Sequence, residues 1–175
     1  MRRFAVALLA AFAFSCASTP DAPMRPAPES DEFQIEATVL AVYNVLSGPA
    51  GRRDWDRFEG LFAPGAQMIV ETEKEGVKRA VVMTTKDYIE RSTPNFNANG
   101  WFERPVATRI LRYGDIAHVW STYEGRNEAN AEKPLVRGIN SFQLVRIGDE
   151  WKVQSLVWQK EDATHPIPAE FLPAR

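Results

Sequence analysis

Arg137 to Lys160 reads RGINSFQLVRIGDEWKVQSLVWQK. Two runs of strand-forming residues flank Ile147-Gly148-Asp149-Glu150, the pattern of a tight antiparallel hairpin. Strict alternation along the second run puts Trp151, Val153, Ser155, Val157 and Gln159 on one face, and Lys152, Gln154, Leu156, Trp158 and Lys160 on the other. Both faces carry large apolar groups, so one is expected to meet the chain's own helices and the other a second surface. With Arg146 opposite Trp151, Leu144 meets Val153, Phe142 meets Ser155, Asn140 meets Val157 and Gly138 meets Gln159. That face is apolar near the turn and polar farther off, and it is assigned to the inside. Ile139, Leu156 and Trp158 then face outward with Arg137, Lys152 and Lys160, a mixed surface suited to pairing with a second copy. A slip of one residue would change which residues are opposed.

Upstream, Ile35, Val39, Val42 and Leu46 recur at helical spacing between Phe33 and Ser47, with Ser30 or Asp31 as the cap and Gly48-Pro49 as the stop. Asp54 to Phe62 reads as a short second helix ended by Pro64-Gly65. Gln67 to Glu73 and Val77 to Met83 form a first hairpin about Lys74-Glu75-Gly76. Thr84 or Thr85 caps a third helix that Thr93-Pro94 is expected to end, leaving Asn95 to Gly100 as a polar loop. Trp101 to Tyr113 and Ile116 to Arg126 are two further strands, broken at Gly114-Asp115, and Asn127 to Pro134 is a hydrophilic loop. The order is helix, helix, hairpin, helix and a four-strand meander. It predicts an α+β domain whose helices gather on one face of a curved, mostly antiparallel six-stranded sheet.

The chain has 175 residues, of which 45% are hydrophobic and 25% charged, which is material for one globular domain. Its formal charge of -2 offers no basic face for nucleic acid. One cysteine, Cys16, and two histidines, His118 and His165, cannot build a structural zinc site of the usual kind, and no cofactor is expected. Met1-Arg2-Arg3 followed by the apolar run Phe4 to Phe14 is a secretory signal, taken as residues 1–17. Two processing outcomes are open: a cut after Ala17, or cleavage and lipidation at Cys16, where Ala13-Phe14-Ser15-Cys16 resembles a bacterial lipobox. Residues 18–31, with Pro20, Pro23, Pro26 and Pro28, form a tether. The folded domain is placed at 32–162 and an irregular, proline-rich tail at 163–175. The protein is therefore expected to be exported to the periplasm, touching the membrane only through a lipid on Cys16.

The element order over Phe33 to Lys160, and above all RGINSFQL, the Gly-Asp-Glu-Trp turn and the strand ending in Trp-Gln, resembles the nuclear transport factor 2-like superfamily. That superfamily includes ketosteroid isomerases and SnoaL-like polyketide cyclases. The resemblance implies a cone-like roll: the sheet wraps around the helices, a pocket opens at one end, and pairs form through the outer sheet face. It also implies a small apolar or amphipathic ligand. Tyr43, Trp55, Trp101, Tyr123, Asn140 and Ser155 are the candidate ligand-binding residues, Phe102 and Trp120 stand near the expected mouth, and Ile139, Leu156 and Trp158 are the candidate dimer interface.

Fold alone does not fix function. The candidates for catalysis are Tyr43, which lies roughly where an isomerase tyrosine would sit, and His118 with Asp115. Positions 115 and 118 fall on opposite faces of a regular strand, which works against a dyad. Glu71 and Glu73 alternate as a solvent-facing pair would. There is no nucleophile elbow, P-loop or dinucleotide fingerprint. Three readings follow: a ligand-binding domain with no assigned reaction, a lyase or isomerase using a pocket acid or base, and a structural or protein-interaction domain.

Overall fold

The structure, a computed structural model, describes residues 30–173. The expected signal with Cys16, and the tether up to residue 29, lie outside the described residues. The first helix, α1 (Asp31–Leu46), is capped by the Ser30 side chain, which accepts from the Phe33 amide. It buries Ile35, Val39, Val42, Tyr43, Val45 and Leu46, a broad stripe on one side, while Phe33 and Leu40 on the other side are exposed. Asp31 ties its start to the sheet: one carboxylate oxygen accepts from Arg146 at 2.6 Å, and the other meets Arg112 at 2.9 Å. Helix α2 (Trp55–Gly60) is short and capped by Asp54.

Strands β1 (Phe62–Lys74) and β2 (Val77–Thr84) form the first hairpin, and helix α3 (Thr85–Ala98) follows through a reciprocal Thr84/Asp87 capping box. Strands β3 (Phe102–Tyr113), β4 (Ile116–Arg126), β5 (Val136–Ile147) and β6 (Glu150–Lys160) complete one six-stranded sheet in the order β2-β1-β6-β5-β4-β3. Only the β1/β6 contact is parallel, formed where the last strand, β6, comes to lie beside β1. The architecture is the expected α+β roll, with an open sheet packed on helices. The core fills the space between α1 and the inner sheet face, around Tyr43, Phe58, Phe142, Met68 and Val153.

Two local expectations are corrected. Helix α3 does not end at Thr93-Pro94 but continues through Pro94 to Ala98, absorbing most of the expected loop. Proline removes one intrahelical donor. The next turn is nevertheless held by Phe96, which is buried against the Trp55 ring at 5.7 Å, and by the Asn99 amide donating to the Asn95 carbonyl. Tertiary packing outweighs the local signal here.

The second correction concerns register. Arg146 does face Trp151 and Leu144 does face Val153, but a bulge at Gln154 then shifts the pairing, so that Gln143 meets Ser155, Phe142 meets Leu156 and Asn140 meets Trp158. One extra residue exchanges the faces beyond it. Leu156 and Trp158 therefore turn inward, while Ser155 and Val157 turn outward. Their expected roles at the outer face and in the pocket, respectively, do not match this geometry.

Beyond β6 the chain turns at Asp162, whose carboxylate accepts from the Thr164 and His165 amides. The Thr164 hydroxyl, donating at 2.7 Å, together with these amides holds its carboxyl well below the usual range. The irregular tail then lies across the outer sheet face. A single 3-10 turn, Ala169–Phe171, sets the Phe171 ring 5.4 Å from Trp120 and its carbonyl on the Thr122 hydroxyl. Part of the surface expected for a partner is thus occupied by the chain's own C-terminal segment.

Candidate functional site

The inner sheet face and helices α1 and α3 enclose a cavity of about 410 Å³. Its wall combines Val42, Leu46, Met68, Phe96, Val136 and Leu156 with the rings of Tyr88, Trp101, Tyr123 and Trp158. The polar lining is sparse: Tyr43, Asn140 and Glu103 inside, with Arg91, Ser92, Asn95 and Lys160 toward the mouth. Largely apolar walls with a few placed polar groups are the usual composition of a small-molecule site.

The polar groups inside form one connected network. The Asn140 amide donates to the Tyr43 hydroxyl at 2.9 Å and to the Glu103 carboxylate at 3.2 Å. Tyr43 shares a 2.7 Å hydrogen bond with the Ser121 hydroxyl, and the Trp101 indole donates to the other Glu103 oxygen at 2.9 Å. The Glu103 backbone is pinned as well, since its amide donates to the Ser47 hydroxyl while that hydroxyl donates to its carbonyl. Three elements thus fix one carboxyl group: the end of α1, the start of β3 and the middle of β5.

Burial raises the Glu103 carboxyl above the ordinary glutamate range, against the opposing pull of the Trp101 and Asn140 donors. Tyr43, Tyr88 and Tyr123 are also raised, first by burial and then by the Glu103 charge, so all three phenols stay neutral. When Glu103 holds its proton, both oxygens already accept bonds from the protein, and the O–H is left for an acceptor in the cavity.

A loop between α1 and α2 sets the rim. Arg53, only 6% exposed, donates to the carbonyls of Leu46, Gly48, Pro49 and Gly51 and lies 4.9 Å above the Phe96 ring. It supplies the positive group that the C-terminus of α1 favours. Gly48 then exchanges two backbone hydrogen bonds with Trp101, which delivers the indole to Glu103.

Gly125 makes room for that indole: a Cβ built there would lie 2.5 Å from the Trp101 ring and 2.9 Å from Val136. Gly125→Ala is therefore expected to push Trp101 off Glu103, lower stability by about 1–2 kcal/mol and shift the tryptophan emission. Unchanged emission and melting temperature would contradict this placement.

Of the residues singled out from sequence, Tyr43, Trp101, Tyr123 and Asn140 line the cavity together. Trp55 does not; it packs on Phe58 and Phe96 behind the wall. Ser155 and Trp120 lie outside, as does Ile139, and Phe102 is absent from the lining.

His118 is also on the outer face, 2.9 Å from the Ser141 hydroxyl and against the Trp120 ring, and partial burial lowers its pKa. Asp115 sits in the turn, where its carbonyl accepts from the Arg146 amide. The two do not form a dyad, and neither reaches the cavity. A second groove of about 570 Å³ opens on this outer side between the sheet and the tail, lined by Trp120, Ile139, Val157, His165 and Ile167.

Sequence reasoning missed Glu103, Tyr88, Ser121, Arg91 and Lys160 as site residues. Glu103 did leave a signal: on an alternating strand it shares a face with Trp101, so a carboxylate was placed on an aromatic inner face.

No protein-family model matches the sequence, and no curated protein does. Solved structures do match. A protein of unknown function with a cystatin-like fold from Nostoc punctiforme superposes with a TM-score of 0.59 at 10% identity, covering 76% of this chain and 92% of its own. A candidate dehydratase of the NTF2-like family from Streptomyces avermitilis gives 0.58 at 13%, covering 78% and 100%. A candidate scytalone dehydratase from Novosphingobium aromaticivorans gives 0.56 at 12%, covering 75% and 85%. At such identities the likeness is one of fold: this chain has the nuclear transport factor 2-like fold.

Proposed function

We propose that this nuclear transport factor 2-like domain is an exported binding module for a small, largely apolar molecule that carries one hydroxyl or carbonyl. The observation that supports this most is the pairing of a mostly apolar cavity with a single connected polar network, Tyr43-Asn140-Glu103-Trp101, at its inner end. The apolar run Phe4 to Phe14 and the proline-rich segment after it support the exported placement.

A cavity built this way selects by the polar group, because a ligand without one leaves buried donors and acceptors facing nothing. The test compares 2-naphthol with naphthalene, the same ring with and without the hydroxyl, by ligand-observed NMR. The hydroxyl is expected to improve affinity about tenfold, equivalent to about 1.4 kcal/mol, and Asn140→Leu should remove most of that gain. Equal affinity for the two, or binding of neither, counts against the reading.

A lyase or isomerase is the second reading, and the buried Glu103 carboxyl beside the cavity favours it. Acid and base roles would fall to Glu103, since His118 and Asp115 are elsewhere. Incubating 2-tetralone with the protein in D2O tests this. Exchange of the hydrogens next to the carbonyl, faster than in buffer and abolished by Glu103→Gln, would support an enzyme; binding without added exchange leaves the first reading standing.

A further inference from the structure

The charges around the cavity are not evenly spread. Glu103 is the one carboxylate in the lining and sits inside, whereas the two cations of the lining, Arg91 on α3 and Lys160 at the end of β6, are both exposed. Among the described residues neither cation forms an ion pair within 4.0 Å. The acids nearby are already engaged. Asp87, one turn before Arg91, accepts from the Thr84 amide and hydroxyl and feels the Arg91 charge without a direct ion pair, and Glu161, next to Lys160, is paired with Arg137 at 3.3 Å and accepts from the Ile167 amide. Ser92 and Asn95 add polar groups beside Arg91.

From this arrangement we infer that the ligand is an amphipathic anion whose carboxylate, sulfonate or phosphate head sits at the mouth between Arg91 and Lys160. Its apolar body lies on Tyr88, Trp101 and Trp158, and its far end reaches Glu103. The inference rests on the binding reading above and specifies the ligand class. A head group at the mouth keeps much of its hydration while gaining two exposed cations that make no direct ion pair, whereas a charge deeper in the cavity would be desolvated beside Glu103. The same anion could arrive as a free acid or as the head group of a lipid; both present the same chemistry to this rim.

The experiment uses two fluorescent probes that share one aromatic body: 8-anilinonaphthalene-1-sulfonate and its neutral counterpart N-phenyl-1-naphthylamine. At low salt the sulfonate is expected to bind about tenfold more tightly, which is what two exposed ion pairs of ordinary strength supply together. Added salt should erode the difference. The double variant Arg91→Ala/Lys160→Ala should bring the two affinities within about twofold, chiefly by weakening the sulfonate.

Equal affinities in the unaltered protein, or a preference that survives the double variant, would overturn the inference. Ser92→Trp, which fills the mouth, separates this failure from a wider one. If both probes stay bound to that variant, they occupy the outer groove, and the cavity reading falls with the anion proposal. If Ser92→Trp expels a neutral probe that the unaltered protein binds as well as the sulfonate, only the anion proposal is lost. To distinguish sources, a preference for dodecanoate over its methyl ester marks a free acid, and co-sedimentation with phosphatidylglycerol vesicles, abolished by the double variant, marks a lipid head group.

Discussion

Arg53→Ala is expected to lower stability by about 3–5 kcal/mol, a large share of the total for a domain of this size. The guanidinium is nearly fully buried without a carboxylate partner and is held by four backbone carbonyls in the loop that follows α1. Removing it leaves the buried Leu46 carbonyl without its side-chain donor and unties the Pro49 and Gly51 carbonyls, while Gly48 keeps only its bond from the Trp101 amide. Arg53→Lys should recover only part of the loss, because an ammonium cannot reproduce the planar fork that reaches Leu46 through Nε and Gly48, Pro49 and Gly51 through the two terminal nitrogens. Denaturant unfolding of the three proteins checks the order. A midpoint for Arg53→Ala within error of the parent would show that the loop is held by something else. The same variant should broaden the tryptophan emission, since Gly48 in this loop fixes the Trp101 backbone.

Glu103→Gln is expected to abolish a fall in heat stability that the parent shows as pH rises from 3 to 8. The sign follows from the raised carboxyl. Below the ordinary glutamate range both the folded and the unfolded chain hold the proton, so no difference arises. As pH rises, the unfolded chain releases its proton first while the folded chain retains it, and stability falls until the folded group titrates as well. Glutamine has no proton to release and can still accept from Trp101, though its NH2 then faces that of Asn140, so a constant offset replaces the pH-dependent decline. The gap in melting temperature should open by roughly 2–4 °C for each kcal/mol involved. Parallel pH profiles for parent and variant would show that Glu103 is not held in the environment described.

How much of this was legible beforehand differs from element to element. Helix α1 declares itself through Ile35, Val39, Val42 and Leu46 because a buried helix must repeat its apolar side every turn. The hairpin of β5 and β6 declares itself through its Gly-Asp turn, and the roll follows from the order of helices and strands. Asn140 and Tyr43 were placed inside correctly. The face of β6 was not, since strict alternation cannot survive an inserted residue. The apolar spacing of Trp151, Val153, Leu156 and Trp158, two then three then two, is the trace that the Gln154 bulge leaves.

Other parts of the site are harder to read. Arg53 stands among Arg52 and Asp54 as if in a solvated charged turn, and only the returning chain shows that it is enclosed. Pro94 signals a stop that the packing of Phe96 overrules. The tail's position over Trp120 and Thr122 depends on contacts far apart in sequence, which no local pattern records.

The central claim is that a small molecule enters the cone and contacts its inner wall. Methyl NMR of protein labelled at methionine tests it most directly, because Met68 lines the cavity whereas Met83, its cross-strand partner, does not. On titration with 2-naphthol the Met68 methyl resonance is predicted to move progressively to saturation and to shift more than Met83. A Met68 resonance that does not move under saturating ligand, with the Trp120 indole on the outer face shifting instead, would contradict the account.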